Sequence, residues 1–199
     1  MQNLQMLNEN QAVAQLSEMF ALELGYTPSQ ARLIGKAAEL HDIGKVAICP
    51  TIINKPNRLT SSERETMKMH TKIGAQMVAG LCGRNSGVGG GFRAAAELVC
   101  LYHHEWWSGG DYWGVEARSL PIYINAVALV DTSVALLFPR AYKDPWSLTE
   151  TLNHIQSRSG TQFSPYLVDA FMRMIKEKGV GEENSSLRSV LSCGKIVHR

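Results

Sequence analysis

The chain has 199 residues, is 45% hydrophobic and carries a formal net charge of +2, figures that suit one ordinary folded domain. So small a charge gives no bulk attraction to DNA or to an anionic membrane surface, and any anionic ligand must be held by local groups. The four cysteines, Cys49, Cys82, Cys100 and Cys193, show no C-x-x-C spacing, which excludes a zinc ribbon and a dithiol redox pair; they read as reduced thiols of a cytoplasmic protein.

The N-terminal stretch is polar and lacks the basic-then-apolar pattern of a signal peptide. Val13, Leu16, Met19, Phe20 and Leu24 then recur at three and four residues, the period of an amphipathic helix, with Gly25 as its stop. Thr27-Pro28-Ser29-Gln30 opens a second helix through a capping box and a first-turn proline. This helix runs from Ala31 to about His41, with Gly44 ending it. The segment 48–58, with Pro50 and Pro56, reads as an ordered loop. Thr60 and Glu63 form a second capping box, before a helix that carries Met67, His70, Ile73 and Met77.

Residues 80–91 hold six glycines and read as a flexible connection; without a preceding strand and a Lys-Ser/Thr pair, they are not a phosphate-binding loop. A helix from about Phe92 delivers His103 and His104 at its end. Residues 105–119 form a Gly- and Trp-rich loop. Helix resumes after Pro121 and carries Asp131; the apolar run 126–138 that surrounds it is too short to insert in a membrane. Ser147 with Glu150, and Ser164 before Pro165, start two more helices. Periodicity is lost after Gly179, so residues 1–178 are expected to form the domain and 179–199 a loosely attached tail. No internal repeat and no strand pattern is evident. The expected fold is all-α, a compact bundle of about seven helices.

The chemistry-bearing residues are His41-Asp42, His70, His103-His104 and Asp131. Imidazole nitrogen and carboxylate oxygen together suit a shared transition-metal centre, and the set is an inventory for a two-metal hydrolytic site. Taken alone, His70 beside Met67 and Ile73 would more often be a core histidine. Two adjacent imidazoles without a metal would be costly to bury, and Asp131 in an apolar helix calls for a cation or a strong partner. His154 and His198 read as surface residues. Trp106, Trp107 and Trp113 either stack a base or pack their loop onto the domain.

Several blocks in order carry a family resemblance. They are His41-Asp42-Ile43-Gly44-Lys45, Ile53-Asn54-Lys55-Pro56, Met67-Lys68-Met69-His70-Thr71, His103-His104-Glu105, Leu129-Val130-Asp131, Arg140-Ala141-Tyr142-Lys143 and Gly160-Thr161-Gln162-Phe163-Ser164-Pro165. Together they resemble the HD-GYP domain of the HD phosphohydrolase superfamily, over roughly residues 9–172. The resemblance implies an HD-domain helical bundle and hydrolysis of cyclic di-GMP to linear pGpG and onward to GMP. It also implies two divalent transition ions, iron or manganese. Asp42 would bridge them, with His41 and Asp131 completing one site and His70, His103 and His104 the other. Register on the first helix adds Glu9 as an oxygen donor; Gln5, one turn earlier, is a poor ligand for a third ion. Lys45, Arg140 and Lys143 match substrate-phosphate positions, Lys45 with a catalytic role beside Asp42.

The signature after the double histidine departs from Gly-Tyr-Pro. Asp111-Tyr112-Trp113 stands there, keeping only Tyr112 as a substrate contact. Asp111 adds negative charge where a dianionic substrate would bind. In the family this loop is linked to contacts with GGDEF-type cyclase domains, and a homodimer is compatible with the resemblance. Two other readings stay open: a catalytically silent regulatory domain that binds cyclic di-GMP or a partner protein, and a hydrolase of another cyclic dinucleotide or of a phosphomonoester.

Overall fold

The computed structural model describes residues 2–81, 90–138 and 144–177, with side chains from Glu9 onward save that of residue 81. Among these residues there are eight α-helices and no strand: α1 Gln2–Glu23, α2 Pro28–Glu39, α3 Pro50–Ile53, α4 Ser61–Leu81, α5 Gly90–Tyr102, α6 Ile122–Leu137, α7 Leu148–Ser157 and α8 Pro165–Glu177. Two short 3-10 helices, Ile43–Ala47 and Ala117–Ser119, complete the regular structure. The all-α expectation holds. No described helix is long and apolar enough to cross a membrane.

The helix starts follow local chemistry. Reciprocal capping boxes begin α2 at Thr27 and Gln30 and α7 at Ser147 and Glu150. A third begins α4, where Thr60 N–H donates to Glu63 Oε2 at 2.7 Å and Glu63 N–H to Thr60 Oγ1 at 3.3 Å. Each box satisfies amide donors that a helix start otherwise leaves open. Lys55 reinforces the third by donating to both Glu63 oxygens, at 2.8 and 2.6 Å. With that ammonium bonded to it, the Glu63 carboxyl is lowered to about 2.

α6 is the central element. Its residues from Ile124 to Val130 are all buried, as expected of a helix that is apolar all round. α1 packs on α2 and α6, α4 on α5 and the first 3-10 helix, and α7 and α8 close against α6. Phe20 of α1 meets Phe171 of α8 edge-on, with ring centroids 5.2 Å apart. Val13, Leu16, Ile34, Val99, Leu129, Leu167 and Met174 fill the space between.

Three sequence expectations are corrected. The segment 48–58 is not all loop, because Pro50 starts the single turn α3, where its missing N–H is no loss. α2 ends at Glu39, before His41, and Gly44 lies inside the 3-10 helix. Gly80 belongs to the last turn of α4, and Gly90 and Gly91 to the first turn of α5. The rest of that connection, residues 82–89, and the expected tail 179–199 with His198 lie outside the described residues.

Candidate metal centre

His41 and Asp42 sit on the turn between α2 and the 3-10 helix. Gly44 explains why that turn comes so close to α4: a Cβ there would overlap the carbonyl oxygen of His70 and the amide of Gly74. Only a residue without a side chain allows this approach. From the other side, the Cys100 thiol of α5 donates to Leu40 O at 3.1 Å. Burial pushes that thiol up to about 12, so it packs rather than reacts. His70 comes from the middle of α4, His103 and His104 from the turn that directly follows α5, and Asp131 from α6. His41, His70 and His103 are buried, with at most 1% of their surface exposed.

Three imidazoles are oriented by the same device. The Nδ1–H groups of His41, His70 and His103 donate to Ala38 O at 2.7 Å, Met67 O at 2.7 Å and Val99 O at 2.9 Å. This fixes the ring orientation and leaves the Nε2 of neutral His70 and His103 as a bare lone pair, the arrangement of metal-ligating histidines, while the His41 Nε2 faces the carboxylates of Asp42 and Asp131. The Nε2 atoms of His70 and His103 stand 3.5 Å apart. Asp42 Oδ1 lies 3.3 Å from the first and 3.8 Å from the second. That oxygen is buried and has no hydrogen-bond partner among the described residues. Three electron-rich atoms facing one another without a proton are mutually repulsive and costly to bury. A cation between them reverses the sign of each interaction, so the donor set fits a metal ion.

Two groups of donor atoms result, each lying within 4.8 Å of one another: Asp42, His70, His103 and His104, and then His41, His103 and Asp131. Bonds of about 2.0–2.2 Å to a common ion place two ligand atoms no more than roughly 4.4 Å apart, close to this spread. His103 belongs to both groups. Asp42 touches the second as well, since His41 Nε2 lies 3.3 Å from Asp42 Oδ2 and 3.4 Å from Asp131 Oδ1. Glu9, half-buried on α1, is in neither group. Lys45 Nζ donates to Asp42 Oδ2. Arg140 and Lys143 lie outside the described residues.

The protonation states suit ligation. Burial lowers His70, lowers His103 well below the usual imidazole value and brings His104 to about 4, so all three are neutral. Burial would raise Asp42 and Asp131. The charges of Lys45 and His41 beside Asp42, and of His41 beside Asp131, prevail and hold both carboxyls below their ordinary range. His41 is the exception among the imidazoles. Burial disfavours its charge, but Asp42 and Asp131 outweigh that and raise it to about 10.

The loop after the double histidine walls the centre. Glu105 is 1% exposed and accepts the N–H groups of Trp113 at 2.7 Å and Val115 at 3.0 Å. Tyr112 lies with its ring centroid 4.3 Å from that of His104 and 6.0 Å from that of His70. Trp113 packs the loop, its Nε1–H donating to Thr71 Oγ1 at 3.1 Å. Trp107 N–H donates to Gln162 O at 2.9 Å. Asn125, fully buried, ties that same segment to α6 by donating to Gln162 O and accepting from Ser164 N–H. The negative charge that Asp111 adds to this loop is paired, for Arg64 donates to it at 2.7 Å. Asn125 and Arg64 are not among the residues singled out from sequence, and Glu105 appears there only as part of the His103-His104-Glu105 block, with no role of its own. The signals available were an acid flanked by aromatics, a lone Asn in an apolar helix and a cation one turn past a helix start.

A family profile described as HD domain matches residues 1–167. The chain is 40% identical over 166 residues to the cyclic di-GMP phosphodiesterase of Thermotoga maritima, covering 83% of this chain and 43% of that protein. It is 34% identical over 162 residues to the cyclic di-GMP phosphodiesterase response regulator RpfG of Xanthomonas campestris pv. campestris, covering 81% and 41%. The chain therefore spans less than half the length of these relatives. In fold it is similar to the HD domain of the L. monocytogenes phosphodiesterase PgpH, with a TM-score of 0.54 at 16% identity over 94% of this chain and 89% of that one. With the profile matching most of its length and the His-Asp cluster assembled as described, the chain belongs to the HD domain family, in the HD-GYP-type branch that its motifs resemble.

Proposed function

We propose that the chain is a metal-dependent phosphodiesterase that opens cyclic di-GMP to linear pGpG and carries it on to GMP. The observation that carries this reading is the convergence of the bare Nε2 atoms of His70 and His103 on the unpartnered Oδ1 of Asp42. The naming of the two sequence relatives as cyclic di-GMP phosphodiesterases supports the substrate.

Two divalent ions, iron or manganese, held by these residues would neutralise the phosphodiester and supply a water acidic enough to ionise near neutral pH. His70, His103 and His104 offer neutral nitrogens. Asp42 offers an oxygen to each of the two groups. His41 and Asp131 complete the second group, and Glu9 is assigned as an additional oxygen donor from its register on α1. Lys45 holds its ammonium against Asp42, within reach of a phosphate oxygen. Arg140 and Lys143 are assigned to the substrate phosphates, where an arginine fork suits bidentate contact. Tyr112 borders His104 and gives the substrate a flat wall. The same loop is the surface assigned to a GGDEF-type cyclase partner.

The regulatory reading rests on the altered signature loop, in which Gly and Pro are lost and Asp111 adds a negative charge. Arg64 offsets that charge, which favours turnover over silent binding. The test is a turnover assay with added manganese or ferrous iron against cyclic di-GMP, cyclic di-AMP and mixed cyclic dinucleotides, resolved by chromatography. Appearance of pGpG is the expected result. Tight calorimetric binding with no product would favour the regulatory domain instead, and cleavage of a different ring would move the substrate.

A further inference from the structure

α4 carries a cation at every fourth position, Arg64, Lys68 and Lys72, so the three side chains leave the same face of the helix. Three consecutive loop residues, Asp111, Tyr112 and Trp113, meet them in the same order. Arg64 Nη2 donates to Asp111 Oδ1 at 2.7 Å. Lys68 Nζ lies 5.9 Å from the centre of the Tyr112 ring and pairs with Glu65 at 2.8 Å. Lys72 Nζ lies 3.6 Å from the centre of the Trp113 ring. These residues replace the Gly-Tyr-Pro of the family pattern, whose Gly and Pro constrain a loop through the backbone itself.

We propose that Arg64, Lys68 and Lys72 are positioning residues, which hold residues 111–113 along α4 and so set Tyr112 against His104 at the rim of the metal centre. Each contact is individually modest, since the ion pair is partly exposed and a cation over an aromatic face adds little in water. Their effect comes from acting on three successive residues whose backbone moves as one. Glu105 anchors the same stretch through the Trp113 and Val115 amides. In this chain, side-chain contacts supply the restraint that Gly and Pro supply elsewhere. The kinetic consequence rests on the phosphodiesterase reading: a loosened wall weakens substrate binding more than it slows chemistry.

The test is hydrogen exchange at the Trp113 and Val115 amides of the metal-loaded chain, for Arg64→Glu, Asp111→Lys, the double exchange, and Lys72→Met. Each charge reversal should speed exchange by roughly three- to tenfold, and the double variant should return it to the original rate. Lys72→Met should speed it by roughly two- to fivefold. In Arg64→Glu the KM for cyclic di-GMP should rise while kcat stays within about twofold. Unchanged exchange in Arg64→Glu and Lys72→Met, or a double variant as fast as the singles, overturns the proposal. Should the unaltered chain cleave no cyclic dinucleotide, the phosphodiesterase reading falls and exchange still decides the role of the cations.

Discussion

His70 and His103 point their Nε2 atoms at each other across 3.5 Å, and with the ring proton of each neutral imidazole on Nδ1 neither Nε2 has one to give. Both rings spend their single N–H on a main-chain carbonyl of their own helix. The pairing is therefore unfavourable as it stands and favourable around a cation. α4 and α5 are thus packed so as to hold two donor atoms ready, and loading the site should stabilise the fold. At a free metal concentration of a hundred times Kd, thermal unfolding should report about 2.7 kcal/mol of added stability, and a chelator should remove it. A melting temperature indifferent to manganese, iron and chelator alike would count against the site.

His41 makes the metal-free chain sensitive to alkali. Burial lowers its pKa, Asp42 and Asp131 outweigh burial, and the value reaches about 10 against 6.5 in the unfolded chain. A raised folded value means that the stabilisation is complete below about pH 6.5 and is lost as pH climbs through about 10. Urea titrations of metal-free protein across that window should show stability falling by up to about 1.4 kcal/mol per pH unit. A cation takes the place of this proton, so metal affinity should rise over the same window by up to about tenfold per unit. A flat profile in both measurements would show that His41 is neutral without metal.

Gly44 should tolerate no side chain. In Gly44→Ala the added methyl meets the His70 carbonyl and the Gly74 amide, both fixed in α4, so the 3-10 helix must lift away from α4. Overpacking of this kind costs roughly 1–3 kcal/mol. It also separates Asp42 from His70, so metal content should fall together with stability. A variant with full stability and full metal content would place the contact elsewhere.

Asn125→Ala separates the fold from the chemistry. It leaves the Ser164 amide without its acceptor and removes one of the two donors to the Gln162 carbonyl, which keeps Trp107 N–H, at a cost of about 1–3 kcal/mol. For a chain of this size that is roughly 2–12 °C in melting temperature. Metal content should be retained, because Asn125 contacts the segment under the loop and none of the donor groups.

The helix starts and the donor residues were legible for different reasons. Capping boxes at Thr27, Thr60 and Ser147 are local chemistry, complete within four residues, so sequence places them. The donors are legible because each stands in a short ordered block. What sequence does not carry is the angle at which those blocks meet. Assigning His103 to one site followed the resemblance, yet the approach of α5 to the α2 turn puts it between both groups. Gly44 reads as a helix stop in sequence because its real constraint, a neighbour 26 positions away, has no local sign. The compensation of the Asp111 charge has no local sign either, since its partner Arg64 lies 47 positions earlier.

The most direct measurement is the transition-metal content of the chain purified without chelator, beside that of Asp42→Asn. The substitution keeps the side chain's shape and removes the charge that faces His70 and His103. The expected result is about two ions per chain in the first and a loss of most of that metal, with all turnover, in the second. Equal metal in the two proteins, or none in either under manganese and iron supplementation, would contradict a cation-holding cluster built on Asp42.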